Sequence, residues 1–249
     1  MQIYIFLKKF SESIFPRRFH LSLRYIWLKI NKKLDPEMKY VLRIIKRKRK
    51  FIDIGANVGI YTYFFANKFN SVEAFEPISE ITYRINYLKS KNIKVHPVAL
   101  SDNPGLLEFH IPKIKGKIEP SLASLEKKDG LIEIRKVNVK QLDTYNFNDV
   151  DLIKIDVEGH EYQTILGAKS TLLSSRPLLI IEIEQRHIDR PIEDVFALMN
   201  TFQYEGYFLK NQKLIKIKEF SYELHQKPYL SNVMNKNYIN NFIFIPQNY

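Results

Sequence analysis

From residue 51 onward, short runs of β-branched and other apolar residues alternate with stretches whose apolar positions recur at helical spacing. That rhythm is the signature of βαβ units building a parallel sheet. It predicts strands at 50–54, 71–75, 94–99, 152–156, 178–183, 207–209 and 241–245, with helices at 59–68, 79–90, 161–173 and 191–202 between them. Between 106 and 140 the rhythm breaks. Two alternating runs, 107–111 and 132–139, flank a Lys, Gly, Pro and Ser-rich connection over 112–130, which predicts a β insertion with a mobile loop at the rim of the sheet. Upstream, Phe6, Phe10, Ile14, Leu21, Tyr25 and Leu28 are spaced at about helical period among lysines and arginines, with Pro16 dividing them. Residues 1–45 therefore read as a basic, amphipathic helical extension ahead of an α/β domain over 46–249.

Composition sharpens this outline. A chain of 249 residues that is 45% apolar can bury one good core and carry one appendage. The net charge of +12 lies in the first fifty residues, which hold 15 Lys/Arg against 3 acids, while the remainder holds 24 of each sign. Such an arm can lie on an anionic bilayer, grip nucleic acid, or pack its apolar face onto the domain and leave its charges in water. Of the two partners, a membrane surface is expected ahead of nucleic acid. The absence of cysteine removes disulfides, thiolate metal sites, a cysteine nucleophile and cysteine-dependent methylation of pyrimidine C5. The apolar runs, such as 177–181 and 242–246, fall far short of the roughly 18 residues a membrane helix needs. The first seven residues carry no base ahead of an apolar stretch that Lys8 and Lys9 cut off, so no secretory leader is expected. The expected location is cytoplasmic, peripheral on the inner face of the membrane if the arm binds there.

Ligands of an open α/β sheet bind outside the carboxyl ends of its strands. The first strand ends in Asp53-Ile54-Gly55-Ala56-Asn57-Val58-Gly59, a turn whose glycines tolerate positive φ and admit a ligand to bare backbone just ahead of a helix. The second ends in Glu76, 23 residues beyond Asp53, the spacing at which such folds grip the two hydroxyls of an adenosine ribose. The third ends in Ser101-Asp102, where a carboxylate can accept from an adenine amine. The fourth ends in Lys154-Ile155-Asp156-Val157-Glu158-Gly159-His160-Glu161, the densest ionisable cluster in the chain. Each has a structural alternative: Glu76 can cap the next helix, Asp156 can pair with Lys154, and His160 can open the helix that follows. A dinucleotide turn wants glycines where this chain has Asn57 and Ile60. A nucleoside without a pyrophosphate, such as S-adenosylmethionine (SAM), fits better.

The string 51–59, then Ala74-Phe-Glu-Pro77, Ala99-Leu-Ser-Asp102, Ile153-Lys-Ile-Asp-Val-Glu-Gly-His-Glu161 and Ile181-Glu182, resembles the FkbM family of SAM-dependent methyltransferases. The likeness runs over about residues 50–185 in unbroken motif order and does not reach 1–45. It implies a Rossmann-like class I methyltransferase sheet of seven strands with the last antiparallel, SAM as cofactor, and methyl transfer to a hydroxyl oxygen. The expected acceptor is a sugar in a glycoconjugate, a polysaccharide or a secondary metabolite. By the motif match Asp53, Gly55, Asn57 and Gly59 form the SAM loop, Glu76 takes the ribose, Ser101 and Asp102 lie by the adenine, and Asp156, Glu158 and His160 flank the acceptor.

Transfer to an alcohol requires alignment and removal of the acceptor proton. His160 is the best base by ordinary pKa; Asp156 and Glu158 compete if a dry crevice raises theirs, and Lys154 can orient one of them. Strand alternation points Glu182 and Glu184 to one face, where one can close the acceptor pocket. Asp156, Glu158 and Glu182 are hard donors of the kind Mg²⁺ takes, but nothing in their spacing demands a metal, and none is assigned. Two rivals remain: an RNA-directed methyltransferase clamping phosphates with the basic arm, and a non-catalytic SAM-fold module bound to a membrane surface. The lack of an Asn/Asp-Pro-Pro-aromatic string after the fourth strand argues against base amine methylation.

Overall fold

A computed structural model describes residues 15–88, 90–114, 117–119, 122–126 and 130–249. Phe6, Phe10 and Ile14 of the predicted extension, and part of the 112–130 connection, lie outside the described residues.

Eight strands form the main sheet. They are β1 (Lys50–Ile54), β2 (Ser71–Phe75), β3 (Ile93–His96), β8 (Val150–Ile155), β9 (Leu178–Glu182), β10 (Tyr204–Lys210), β11 (Lys213–Lys216) and β12 (Asn241–Pro246). Their order is β11-β10-β12-β9-β8-β1-β2-β3. β1 runs parallel to both β2 and β8, whereas β12 inserts antiparallel between β9 and β10. This is the expected seven-stranded arrangement with its reversed final strand. β11 is an addition the sequence pattern did not reveal, a short hairpin arm on the edge of β10 whose Lys213 and Lys216 face solvent. From β1 the chain winds out to β3 and then returns to β8 on the other side. The order thus reverses between β1 and β8, which sets the ligand crevice at their carboxyl ends.

Period-2 alternation sorts the strand residues onto two helical layers. Phe51, Leu152, Leu178 and Ile180 pack with Met38, Val41, Phe64 and Phe65 on one side. Ile52, Ile153, Ile155, Leu179 and Ile181 pack with Ile165, Leu172, Val195 and Met199 on the other. The first layer comprises α1 (His20–Ile30), α2 (Pro36–Ile44), α3 (Ile60–Ala66) and α4 (Ser79–Asn86); the second comprises α5 (Glu161–Leu166), α6 (Lys169–Ser175) and α7 (Ile192–Thr201). A final helix, α8 (Tyr222–His225), precedes β12. The described part of the N-terminal extension is thus built into the core, with Leu21, Met38, Val41 and Ile45 all buried.

Three predicted elements differ in extent. The third strand stops at His96, because Pro97 has no amide to continue the ladder; Ala99 and Leu100 then form β4 (Ala99–Leu100) in a second sheet. The predicted helix over 161–173 breaks at Gly167, and α6 starts anew where the Asp143 carboxylate accepts from the amides of Ser170 and Thr171. The insertion is a hairpin of β5 (Gly105–Ile114) and β7 (Ile132–Lys140), with β6 (Lys117–Ile118) beside it. Phe109 and Ile111 close it over Val58, Ile78 and Ile81, so the hairpin roofs the crevice side of α4.

Candidate functional site

The loop after β1 is shaped by backbone that most residues avoid. Gly55, Asn57 and Gly59 all have positive φ. At Gly55 nothing larger fits, because an added Cβ would lie 1.8 Å from the carbonyl oxygen of Asp156. The amides of Gly55 and Ala56 donate to Phe75 O, and Asp156 N donates to Ile54 O, so the loop is stitched to the ends of both β2 and β8. Glu76 completes it: one carboxylate oxygen accepts from Asn57 N at 3.0 Å and the other from Ile78 N at 3.0 Å. Neither amide belongs to the first turn of α4, and each oxygen keeps a lone pair for another donor. Burial raises the Glu76 carboxyl to about 7 against the pull of those amides, with Asp156 and Asp53 adding to the rise.

Beside the loop, Lys154 is almost fully buried at the centre of a ring of acids. Its ammonium lies 3.6 Å from Glu182, 3.9 Å from Asp156 and 5.2 Å from the centre of the Tyr61 ring, and it donates to Asn241 Oδ1 and Ile155 O. Burial disfavours its charge, but Asp156, Glu182, Asp35 and Asp53 outweigh this and hold its pKa above the ordinary value. Asp53 is buried, accepts from the Thr62 hydroxyl at 2.6 Å, and is pushed by burial to about 6. Asp156 and Glu182 share the Lys154 ammonium. Burial raises both, Asp156 to about 6 and Glu182 well above its ordinary value; Lys154 opposes both shifts, while Glu158 adds to that of Asp156 and Asp156 to that of Glu182. Asp156 nevertheless keeps 33% of its side-chain surface open, and Glu182 also accepts from Asn240 Nδ2 at 2.7 Å.

The remaining predicted residues spread along the same rim. His160 stands at the N-terminal boundary of α5, and its ring bridges Glu126 (2.6 Å from Nδ1) and the Ser101 hydroxyl (2.8 Å from Nε2). Ser101 also donates to Asp102, 3.0 Å away. Glu158 pairs with His187 at 3.0 Å. Glu184 turns from the crevice to a salt bridge with Arg186 and a hydrogen bond from the Tyr238 hydroxyl, which together hold its carboxyl below the usual range despite its burial.

Two clefts meet at the loop. The first, about 540 Å³, is lined by Ile54, Gly55, Asn57, Phe75, Glu76, Val98, Leu100, Asp156, Glu158 and His160. The second, about 670 Å³, lies under α1 and α2 and takes Arg24, Lys33, Asp35, Asp53, Tyr61, Lys154 and Asp156. Gly55, Asn57 and Asp156 border both clefts, so Asp156 stands at their junction. Gly59, Ser101, Asp102, Glu182 and Glu184 line neither, although Ser101 and Glu182 touch residues that do. Among the described residues no three His, Asp or Glu side chains come together as a metal site.

Two contributors escaped the sequence reading, and a third, Glu161, was named there without a role. Asp35 accepts from the Tyr61 hydroxyl at 2.8 Å and faces Lys154. Glu37, pushed by burial to about 8, belongs to the same charge cluster. The signal was available, since two of only three acids in the first fifty residues fall at 35 and 37. Glu161 folds its carboxylate back onto the amides of Val157 and Gly159, fixing the turn in which Glu158 and Gly159 take positive φ.

Residues 53–209 match the family model for the methyltransferase FkbM domain. No curated protein matches the chain. Among solved structures the chain is similar to methyltransferase FkbM from Methylobacillus flagellatus KT, at 16% identity and a TM-score of 0.49, over 90% of this chain and 54% of that one. It thus spans about half the length of that protein. It is also similar to an rRNA methylase from Streptococcus thermophilus (13% identity, TM-score 0.44, 84% of this chain and 93% of that one). SMU.1697c from Streptococcus mutans, solved in complex with SAH, aligns at 10% identity with a TM-score of 0.43, over 84% of this chain and 95% of that one.

Proposed function

We propose, from the premise that this chain belongs to the FkbM methyltransferase domain family, that it moves a methyl group from SAM to a hydroxyl oxygen, with a sugar-type alcohol as the acceptor. The observation that carries this reading is the position of Asp156, whose carboxylate stands where the two clefts join. The first cleft suits a nucleoside: Glu76 has acceptor capacity left for ribose hydroxyls, the Gly55–Asn57 backbone is bare, and Phe75, Val98 and Leu100 supply an apolar wall for a base. When bound, SAM supplies a methyl group on a positively charged sulfur, already activated for in-line displacement. What the chain must add is a second site for the alcohol and a group to take its proton.

Asp156 meets that need better than His160. Both ring nitrogens of His160 are engaged, by Glu126 and Ser101, which suits it to holding the rim in place. Asp156 is partly open, and with its carboxyl raised to about 6 it is a stronger base than an ordinary aspartate while still ionised at neutral pH. Lys154 favours its ionised form, and Glu182, protonated more readily, shares the same ammonium.

Calorimetric titration with S-adenosylhomocysteine (SAH), the demethylated product, tests the cofactor half. Glu76→Ala is expected to weaken binding by about 1–3 kcal/mol, and unchanged heats would remove the ribose role. Asp156→Asn is expected to bind SAH nearly as the parent does while losing methyl transfer to hydroxyl acceptors. An equal loss of both would make Asp156 structural and defeat the base assignment.

A further inference from the structure

Packing its apolar side on the domain was one of the alternatives open to the extension. In α1 it does so on one side only. Leu21, Tyr25 and Leu28 recur at helical spacing on the inner face: Leu21 is buried, Tyr25 packs on Tyr63 and Phe64, and Leu28 lines the second cleft. Ile26 and Ile30 also follow one another at helical spacing, but on the opposite side, where they are 48% and 74% exposed. Phe19, in the turn that leads into α1, continues their line and is 43% exposed, with Phe15 open one turn before it. No other described element of the first layer covers this stripe. The Arg18 guanidinium lies over the Phe19 ring, and Lys29 and Lys32 adjoin Ile30 in the chain, within the fifty residues that carry the net charge.

We propose that this outer face of α1 docks the protein on an anionic lipid bilayer. Apolar side chains along one side of a basic helix insert at the boundary between headgroups and acyl chains, while the flanking cations meet lipid phosphates. The charge decides the occupant. A second copy of this chain would present the same cationic rim and repel, and a polynucleotide would use the arginines and lysines but leave Phe19, Ile26 and Ile30 in water. The same helix lines the second cleft with Arg24 and Leu28 on its inner side. Docking therefore sets that cleft about one helix diameter, roughly 10 Å, from the lipid surface.

The test is co-sedimentation of the full chain with vesicles of phosphatidylcholine and phosphatidylglycerol in equal parts, against vesicles of phosphatidylcholine alone. The parent is expected to pellet with the first and stay largely in solution with the second. The double variant I26E/I30E is expected to bind the anionic vesicles about tenfold or more weakly, and its circular dichroism and thermal unfolding, compared with the parent's, establish that it is folded. Three results would overturn the proposal: a parent that does not pellet with anionic vesicles, pelleting that I26E/I30E leaves unchanged, or a parent dimer in solution that I26E/I30E turns into a monomer.

Discussion

Burial, more than any one partner, sets the chemistry of the acids at the crevice. Asp53 and Asp156 are raised to about 6, Glu76 and Glu161 to about 7 and Glu37 to about 8, in each case chiefly by burial. A carboxyl whose pKa is higher in the folded than in the unfolded chain takes up protons first in the native state, so the stability it contributes is present below the unfolded pKa and is lost as pH rises through the folded one. Glu73 and Glu184, whose values are lowered, act only below the ordinary carboxylate range, and His225, lowered chiefly by burial, opposes the trend. The ligand-free protein is therefore expected to melt at a higher temperature at pH 5 than at pH 7. Thermal unfolding across that window decides it, and a melting point that climbs from pH 5 to pH 7 would contradict the raised values. The motif Asp156-Val-Glu-Gly-His identified the acids from sequence, but not their partners. Asp35 and Lys154 are 119 positions apart, and only burial against a common face couples them.

Among the elements, the loop between β1 and α3 is the most demanding. Its glycines were legible because a chain that must pass within contact of a neighbouring strand end tolerates no side chain there. Gly55→Ala is expected to reduce stability by more than the about 1–3 kcal/mol of an unfavourable φ alone, because the Asp156 carbonyl must also move. Denaturant unfolding and SAH titration of that variant measure both consequences; a variant with parental stability and affinity would show the loop to be adaptable. The α5–α6 break and the early end of β3 were less legible. Helical periodicity runs smoothly through 161–173, and the cap that divides it, Asp143, comes from a distant segment. Pro97 did carry a local signal for the end of β3, one that the apolar pattern overrode.

At the scale of the whole molecule, the described part of the extension behaves as core. Leu21, Met38, Val41 and Ile45 are buried, and at about 1.5–3 kcal/mol per side chain their loss is comparable with the entire stability of a typical domain, about 5–15 kcal/mol. Deleting residues 1–45 is accordingly expected to abolish cooperative unfolding in a thermal melt, and a truncated chain that still melts sharply would show the extension to be dispensable. What the order of residues decided alone was the local part: the strand and helix rhythm, the glycine turn, and the acids at successive strand ends, because backbone sterics and hydrophobic periodicity act over a few neighbours. Folding in three dimensions decided which of those acids share a cleft, that Glu184 leaves it for Arg186, that Asp35 joins it, and which side of α1 stays open. Burial, desolvation and charge coupling depend on distances between segments far apart in the chain, and no local pattern encodes them.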